Sequence, residues 1–271
     1  NMVTGASTAD AAILMVDARH GILTQTRRHS FLMSLIGIRH VVVAINKMDL
    51  VNYSQARFDA IVEEYRDLAQ QIGLEKITFI PMSALKGDNV IEHGHHMSWY
   101  HGPTLMAYLE TVEVDEEHLQ RTPFRMPVQW VNRPNLDFRG FSGMISSGCV
   151  KPGDAIRVQP SGKNSTVKRI YTFDGDLDEA VAGQSVTLVL EDEIDISRGD
   201  IMSGVEQPAQ TADQFETTLV WMHEQPLLPG RPYLMKLGTQ TVSATITDIK
   251  YQINVNTLEH VAGKQMDLNA I

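Results

Sequence analysis

Hydrophobic and polar positions follow two regimes along this chain. Over residues 1–112, short apolar runs bounded by polar residues alternate with longer stretches where apolar residues recur every three or four positions. Ala11–Asp17 is the kind of run expected of a strand buried on both faces, and His40–Ile45 and Ile77–Met82 repeat it. Between them the spacing predicts a helix over Gln25–Ile36, with Thr24 as N-cap and Gly37 as stop. A second helix over Ser54–Ile72 carries Phe58, Ile61, Val62, Tyr65, Leu68, Ala69 and Ile72 on one stripe and ends at Gly73. Pro103–Val112, with proline near its first turn, predicts a closing helix. A β-α-β-α-β order implies a parallel sheet with right-handed crossovers.

Beyond the charged stretch 113–123, read as a linker, the period changes. From Phe124 to about Val205, short β-rich runs are separated by turn signals: Asn132-Arg133-Pro134-Asn135, Lys151-Pro152-Gly153-Asp154, Pro160-Ser161-Gly162, Asp174-Gly175 and Arg198-Gly199-Asp200. That pattern predicts a small antiparallel barrel over 124–207. A further β-rich stretch opens near Phe215 and continues through Leu219–Met222, Tyr233–Leu237, Val242–Ile246 and Ile249–Val255. It offers too few strands to close, so 208–271 is expected to be a partial second barrel.

Composition narrows the picture in three ways. No apolar run approaches the roughly 20 residues needed to span a bilayer, so no membrane association is expected. The single cysteine, Cys149, excludes an internal disulfide framework and fits a reducing, cytoplasmic setting. A formal net charge of −10 argues against broad attraction to nucleic acid.

Two strand-end loops carry the candidate chemistry. Asn46-Lys47-Met48-Asp49 closes the strand ending at Ile45, and Ser83-Ala84-Leu85 closes another about 35 residues later. Open α/β sheets bind ligands at strand carboxyl ends. A carboxylate at Asp49 can accept paired hydrogen bonds from the ring N–H and exocyclic amine of guanine, which adenine does not offer on that edge. Each such charge-assisted bond is worth roughly 1.5–3 kcal/mol. Asn46 is expected to tie the loop to neighbouring backbone, the stem of Lys47 to lie over the ring, and N–H groups near Ser83 and Ala84 to meet the guanine carbonyl.

The phosphate half of a nucleotide site is not legible. Gly162-Lys163 approaches G-x-x-x-x-G-K-[ST], but Arg157 stands at its first glycine and Asn164 at its Ser/Thr. The strand–helix order is that of a nucleotide-binding domain entered midway, with the chain cut short at both ends. By itself the segment is expected to bind GTP poorly and to be inactive.

Asp17-Ala18-Arg19-His20-Gly21 followed by Gln25-Thr26-Arg27-Arg28-His29 resembles the translation-factor branch of GTPases. Within that branch, Trp99-Tyr100 with Gly102-Pro103-Thr104-Leu105, the stretch Pro127–Asn135, Phe138–Gly143 and Glu191–Asp200 resemble the family of GTPase subunits of bacterial sulfate adenylyltransferase. The resemblance implies an α/β fold: an incomplete parallel-sheet GTPase domain, a β-barrel and a partial second β-barrel. It implies GTP or GDP with Mg2+ as ligands of the full-length protein. It also implies a separate catalytic subunit that joins ATP and sulfate into adenylyl sulfate and pyrophosphate, driven by GTP hydrolysis here. Asn46, Lys47, Asp49, Ser83, Ala84 and Leu85 would form the guanine site, whereas the family's phosphate loop, magnesium ligands and switch residues have no counterpart. A translation elongation factor delivering aminoacyl-tRNA, or a form fused to an adenylyl-sulfate kinase, are the alternatives.

Other features read blandly. Glu92, His93, His95, His96 and His101 have irregular spacing for zinc and suit an exposed loop. Asp174–Asp178 lacks the glycine and glutamate of a calcium loop. Glu191–Asp195 reads as a charged strand edge or a partner surface, His29 as a helix residue without catalytic role, and Cys149 as packed. The apolar stretch from Trp221-Met222 to Pro229 reads as barrel core or an exposed patch.

Overall fold

The structure is a computed structural model that describes residues 2–7, 9–113, 119–135 and 138–271. Contacts divide the chain into two compact units, Asn1–Val114 with Ile253–Val261, and Asp115–Gln252 with Ala262–Ile271. Residues 114–118 of the expected linker at 113–123 lie outside the described residues.

The first unit opens with a short helix α1 (Met2–Ala6) and is built on three parallel strands, β1 (Ala11–Asp17), β2 (His40–Asn46) and β3 (Lys76–Pro81), in that spatial order. β2 is central, and its apolar run is explained by burial on both sides. Val41, Val43 and Ile45 join the core formed with α2 (Thr24–Ile36) and α3 (Gln55–Ile72). Val42 and Ala44 pack with Ile80 and Met82 on the other side, where Leu105 and Tyr108 of α4 (Leu105–Thr111) meet them.

All seven stripe residues predicted for α3 are buried. Ser54 caps that helix by accepting a hydrogen bond from Arg57 N–H at 3.3 Å, and Gly73 ends it at φ 72°. The left-handed conformation costs glycine no Cβ clash, which is why the helix stops there. Between α2 and α3 a buried polar contact is satisfied: Ser30 Oγ donates to Thr26 O at 2.8 Å and lies 2.9 Å from the Tyr65 hydroxyl.

Two local expectations are corrected. β1 is an edge strand among the described residues, so Leu14 and Val16 are buried while Ile13 and Met15 are 43% and 52% exposed. Periodicity reports an apolar run, not whether both of its faces are covered. Thr24 is the first helical residue rather than the N-cap; Leu23 occupies that place, and its N–H is taken by Thr26 Oγ1 at 3.3 Å.

In the second unit β4 (Arg125–Pro127), β5 (Trp130–Asn132), β6 (Gly140–Met144), β7 (Cys149–Val150), β8 (Ala155–Gln159), β9 (Asn164–Thr172), β10 (Gly175–Leu177), β11 (Ala180–Val181), β12 (Ser185–Leu190) and β13 (Ile201–Gly204) follow in sequence. The main sheet runs β4-β13-β8-β9-β12-β6-β5, with β10 on β9. Its two ends, β4 and β5, are joined by only Val128 and Gln129. Val128 N–H donates to Asp200 O and Gln129 N–H to Ser142 O, so the ladder curls back on itself as a barrel. Phe141, Ile156, Val158, Ile170, Leu188 and Met202 fill it. The expected turns fall at strand ends, with Gly153, Gly162, Gly175 and Gly199 all at positive φ.

The last stretch forms one hairpin, β14 (Pro232–Leu237) with β15 (Gln240–Thr245), and a short pair, β16 (Gln252–Ile253) with β17 (His260–Val261). Leu219–Met222 is not a strand. Only Trp221 pairs there, with Asn269 and Ala270, and a β run without a continuous ladder partner is not held extended. Trp221 packs edge-on against Tyr233, Leu227 is buried, and Met222 is 49% exposed.

Candidate functional site

The carboxyl ends of β1, β2 and β3 bring the two loops together. The parallel register sets Asp17 beside Asn46 and Ile45 beside Pro81. After Asn46 the chain turns sharply: Lys47 adopts φ 65°, a short 3-10 turn follows over Met48–Val51, and Asn52 and Tyr53 are again left-handed. Met48 N–H donates to Met82 O at 3.2 Å, and Met82 N–H to Ile45 O at 2.8 Å, so backbone ties one loop to the other.

Side chains complete the link. Asn46 Oδ1 accepts from Lys47 N–H at 2.7 Å and from Ala84 N–H at 2.9 Å. The hydroxyl of fully buried Ser83 donates to Asp49 Oδ1 at 2.7 Å. Asn46, Asp49, Ser83 and Ala84 therefore form one cluster. Leu85 stands on the rim, 83% exposed. The backbone donors expected to be open are engaged: Ala84 N–H by Asn46, and Ser83 N–H by Asp88 O at 3.2 Å.

Lys47 points the other way, toward β1. Its Nζ lies 2.8 Å from Asp17 Oδ2, and the same carboxylate takes Arg19 Nε at 3.0 Å, Nη2 at 2.6 Å and backbone N–H at 3.0 Å. The Arg19 guanidinium holds the Asp17 carboxyl well below the usual carboxylate range; partial burial opposes this and the Lys47 ammonium reinforces it. Arg57 of α3 anchors the segment by donating to Ala18 O at 2.7 Å and Arg19 O at 3.3 Å. The pairing of Asp17 with Lys47 is not visible in the spacing of the loops, because the two lie 30 residues apart. The motif Asp17-Ala18-Arg19 was the one available signal.

The histidine-rich segment is held in place by packing. His96 stacks on Tyr53 at 4.5 Å with rings 8° from parallel, and its Nδ1 is 3.5 Å from Asp88 Oδ1. Among the described residues, no group of three or more His, Cys, Asp or Glu is arranged to hold a metal ion. Asp176, in the stretch compared with a calcium loop, pairs with Arg169 across the β9–β10 hairpin. Glu191, Asp192 and Asp195 engage Lys168 at 3.4 Å, Ser165 at 2.8 Å and Arg139 at 3.3 Å, and Arg139, Lys168, Glu191 and Asp192 line a cavity of about 300 Å³ on the barrel. Cys149 is exposed rather than packed, since β7 pairs only with the short β11. Partial desolvation of the sulfur and the neighbouring Glu179 carboxylate both push its thiol up. No helix among the described residues is long and apolar enough to cross a membrane.

Paired loops at parallel-strand ends, followed in the chain by an antiparallel barrel, are an order shared with the GTPases of the translation-factor class. The Elongation factor Tu GTP binding domain model matches residues 1–121, Elongation factor Tu domain 2 matches 141–203, and the GTP-eEF1A C-terminal domain-like model matches 214–271. Within that class the chain is similar to proteins named sulfate adenylyltransferase subunit 1. It is 52% identical to the protein of that name from Saccharophagus degradans and 54% identical to that from Vibrio parahaemolyticus, over 100% of this chain and 57% of each relative. It is 55% identical to the Bifunctional enzyme NodQ of Rhizobium sp. (strain N33), over 100% of this chain and 42% of that protein. The chain thus spans about half the length of the curated relatives it matches.

Proposed function

We propose that this chain supplies the guanine-reading part of a GTP-binding sulfate adenylyltransferase subunit, with Asn46, Lys47, Asp49, Ser83, Ala84 and Leu85 around the base. The observation that carries the reading is the Asp49 carboxylate held by the Ser83 hydroxyl at the mouth of the two loops. A carboxylate so aimed has acceptor capacity left for the paired donors on guanine's edge. The guanine carbonyl would take Ala84 N–H in competition with Asn46 Oδ1, which frees that amide oxygen to turn toward the base.

The residues present fit the base and not the phosphates or their magnesium ion. Among the described residues no group of three or more His, Cys, Asp or Glu is arranged to hold Mg2+. In the whole protein, GTP hydrolysis would drive formation of adenylyl sulfate and pyrophosphate from ATP and sulfate. The adenylyl-transfer residues would lie on a separate catalytic subunit, with both partners in the cytoplasm. Coupling requires that the nucleotide bind two conformations with different free energy. A second reading, a chain from the bifunctional form, draws support from the 55% identical relative named as a bifunctional enzyme.

The test is amide NMR of the 271-residue chain titrated with guanosine and with adenosine. Shifts at Asn46, Asp49 and Ala84 with guanosine alone support the reading. No shift, or equal shifts with both nucleosides, rejects it. Co-purification of the full-length protein with an adenylyl-transferring subunit, rather than tRNA, tests the wider assignment.

A further inference from the structure

The ion cluster at the end of β1 has no role in reading the base edge, yet it determines where the Lys47 side chain runs. Asn46 reaches from the end of β2 toward β3, through Ala84 N–H at 2.9 Å. Lys47, the next residue, reaches toward β1 and ends 2.8 Å from Asp17 Oδ2. The two consecutive side chains diverge because Lys47 is left-handed, at φ 65°. A lysine in that conformation, with 45% of its side chain exposed, would ordinarily sample many rotamers. Here its ammonium is pinned to a carboxylate that is itself immobilised by three hydrogen bonds from Arg19. Arg57, from α3, fixes the backbone of that segment in turn.

We infer that Asp17 is a positioning residue for the nucleotide base: by holding the Lys47 ammonium, it sets the lysine's methylene stem as a fixed apolar wall against one ring face. The inference rests on the guanine reading above and adds to it a residue outside both loops. A preordered wall loses less conformational entropy on binding than a mobile one. The ammonium needs the charged acceptor; the stem needs only to be apolar and held. Arg19 remains part of the same unit, since it keeps the Asp17 carboxylate charged and oriented. Asp17 acts through Lys47 and is not expected to touch the base.

A double-mutant cycle on the 271-residue chain tests this, with guanosine and GDP as probes and the Ala84 amide shift as readout. Asp17→Asn should weaken guanosine binding by about 3- to 10-fold. Lys47→Met, which keeps an apolar stem but has no ammonium to be held, should lose a comparable factor of about 3- to 10-fold. In that background Asp17→Asn should have no further effect on affinity. A global structural role would instead give the same fold-loss in both backgrounds, and that result overturns the inference. Equal guanosine binding by wild type and Asp17→Asn overturns it as well, as does a loss seen with GDP but not guanosine, which would assign the cluster to phosphate charge. If wild type shifts with neither probe, the guanine reading fails and takes this inference with it. Thermal melts of all four proteins, read beside the affinities, separate loss of fold from loss of positioning.

Discussion

Ser83 Oγ donates a 2.7 Å hydrogen bond to Asp49 Oδ1 across two loops that sit 34 residues apart in the chain. Ser83 is fully buried and Asp49 half-buried, so the donor is a rigid post and the acceptor sits at the rim. A carboxylate positioned this way is preorganised, and preorganisation is what turns a hydrogen-bonding edge into selectivity.

Asp49→Asn should reverse that selectivity. An amide offers a donor where the carboxylate offered an acceptor, so guanine affinity should fall about 10- to 100-fold and xanthine affinity rise. Binding of both nucleosides, followed at the Ala84 amide, measures the exchange. Unchanged ratios would place Asp49 outside the site.

Asp17 should make stability depend on acid in one direction. Its carboxyl titrates well below the ordinary range because Arg19 binds the charged form. A depressed folded value means that the stabilisation is complete above the unfolded value of about 3.9. It is then lost as pH falls through the folded value. Urea midpoints of wild type and Asp17→Asn should therefore differ by a constant amount from neutral pH down to about pH 4. The gap should close in stronger acid. A gap that persists unchanged through the acid range would contradict the assignment.

Cys149 should be reachable yet slow. It is exposed, but partial desolvation of its sulfur and the Glu179 carboxylate push the thiol up, so little thiolate exists near neutral pH. Reaction of the folded chain with a disulfide reagent should accelerate steeply only in alkaline buffer. Glu179→Gln should shift that rise to lower pH, and an unshifted profile would remove Glu179 as a cause.

Gly148 should not tolerate a side chain. Its φ is 73°, and a Cβ there would lie 2.5 Å from both Phe124 Cα and Phe124 N. Backbone cannot yield as a side-chain tip can, so Gly148→Ala should cost about 2–4 kcal/mol from the left-handed conformation plus overpacking. Denaturant unfolding, with Gly153→Ala as the control for φ alone, measures it. Gly153 has φ 95° and nothing within 4 Å of its Cβ.

Legibility followed the range of the interactions. The seven buried residues of α3 and its Ser54 and Gly73 ends were readable because each signal spans a few residues. Met15 was misread as buried because the cover over a strand's second face comes from elsewhere in the fold. Leu219–Met222 had β-rich composition but no ladder to join. In the proposed site, Asn46 and Asp49 stand out in their loop from the sequence, and Asn46 reaching Ala84 was anticipated only as a tie to some neighbouring backbone. Asp17 holding Lys47 was not anticipated at all.

The sequence by itself determined the strand–helix alternation, the residues offered at each strand end and the change to barrel-forming β runs, since all of these arise from local periodicity and turn chemistry. Only the tertiary structure decided which offered groups meet. The parallel register that aligns Asp17 with Asn46, and carries Ser83 to Asp49, depends on burying both faces of β2 at once. That burial is summed over helices far apart in the chain, so no single stretch of residues encodes it.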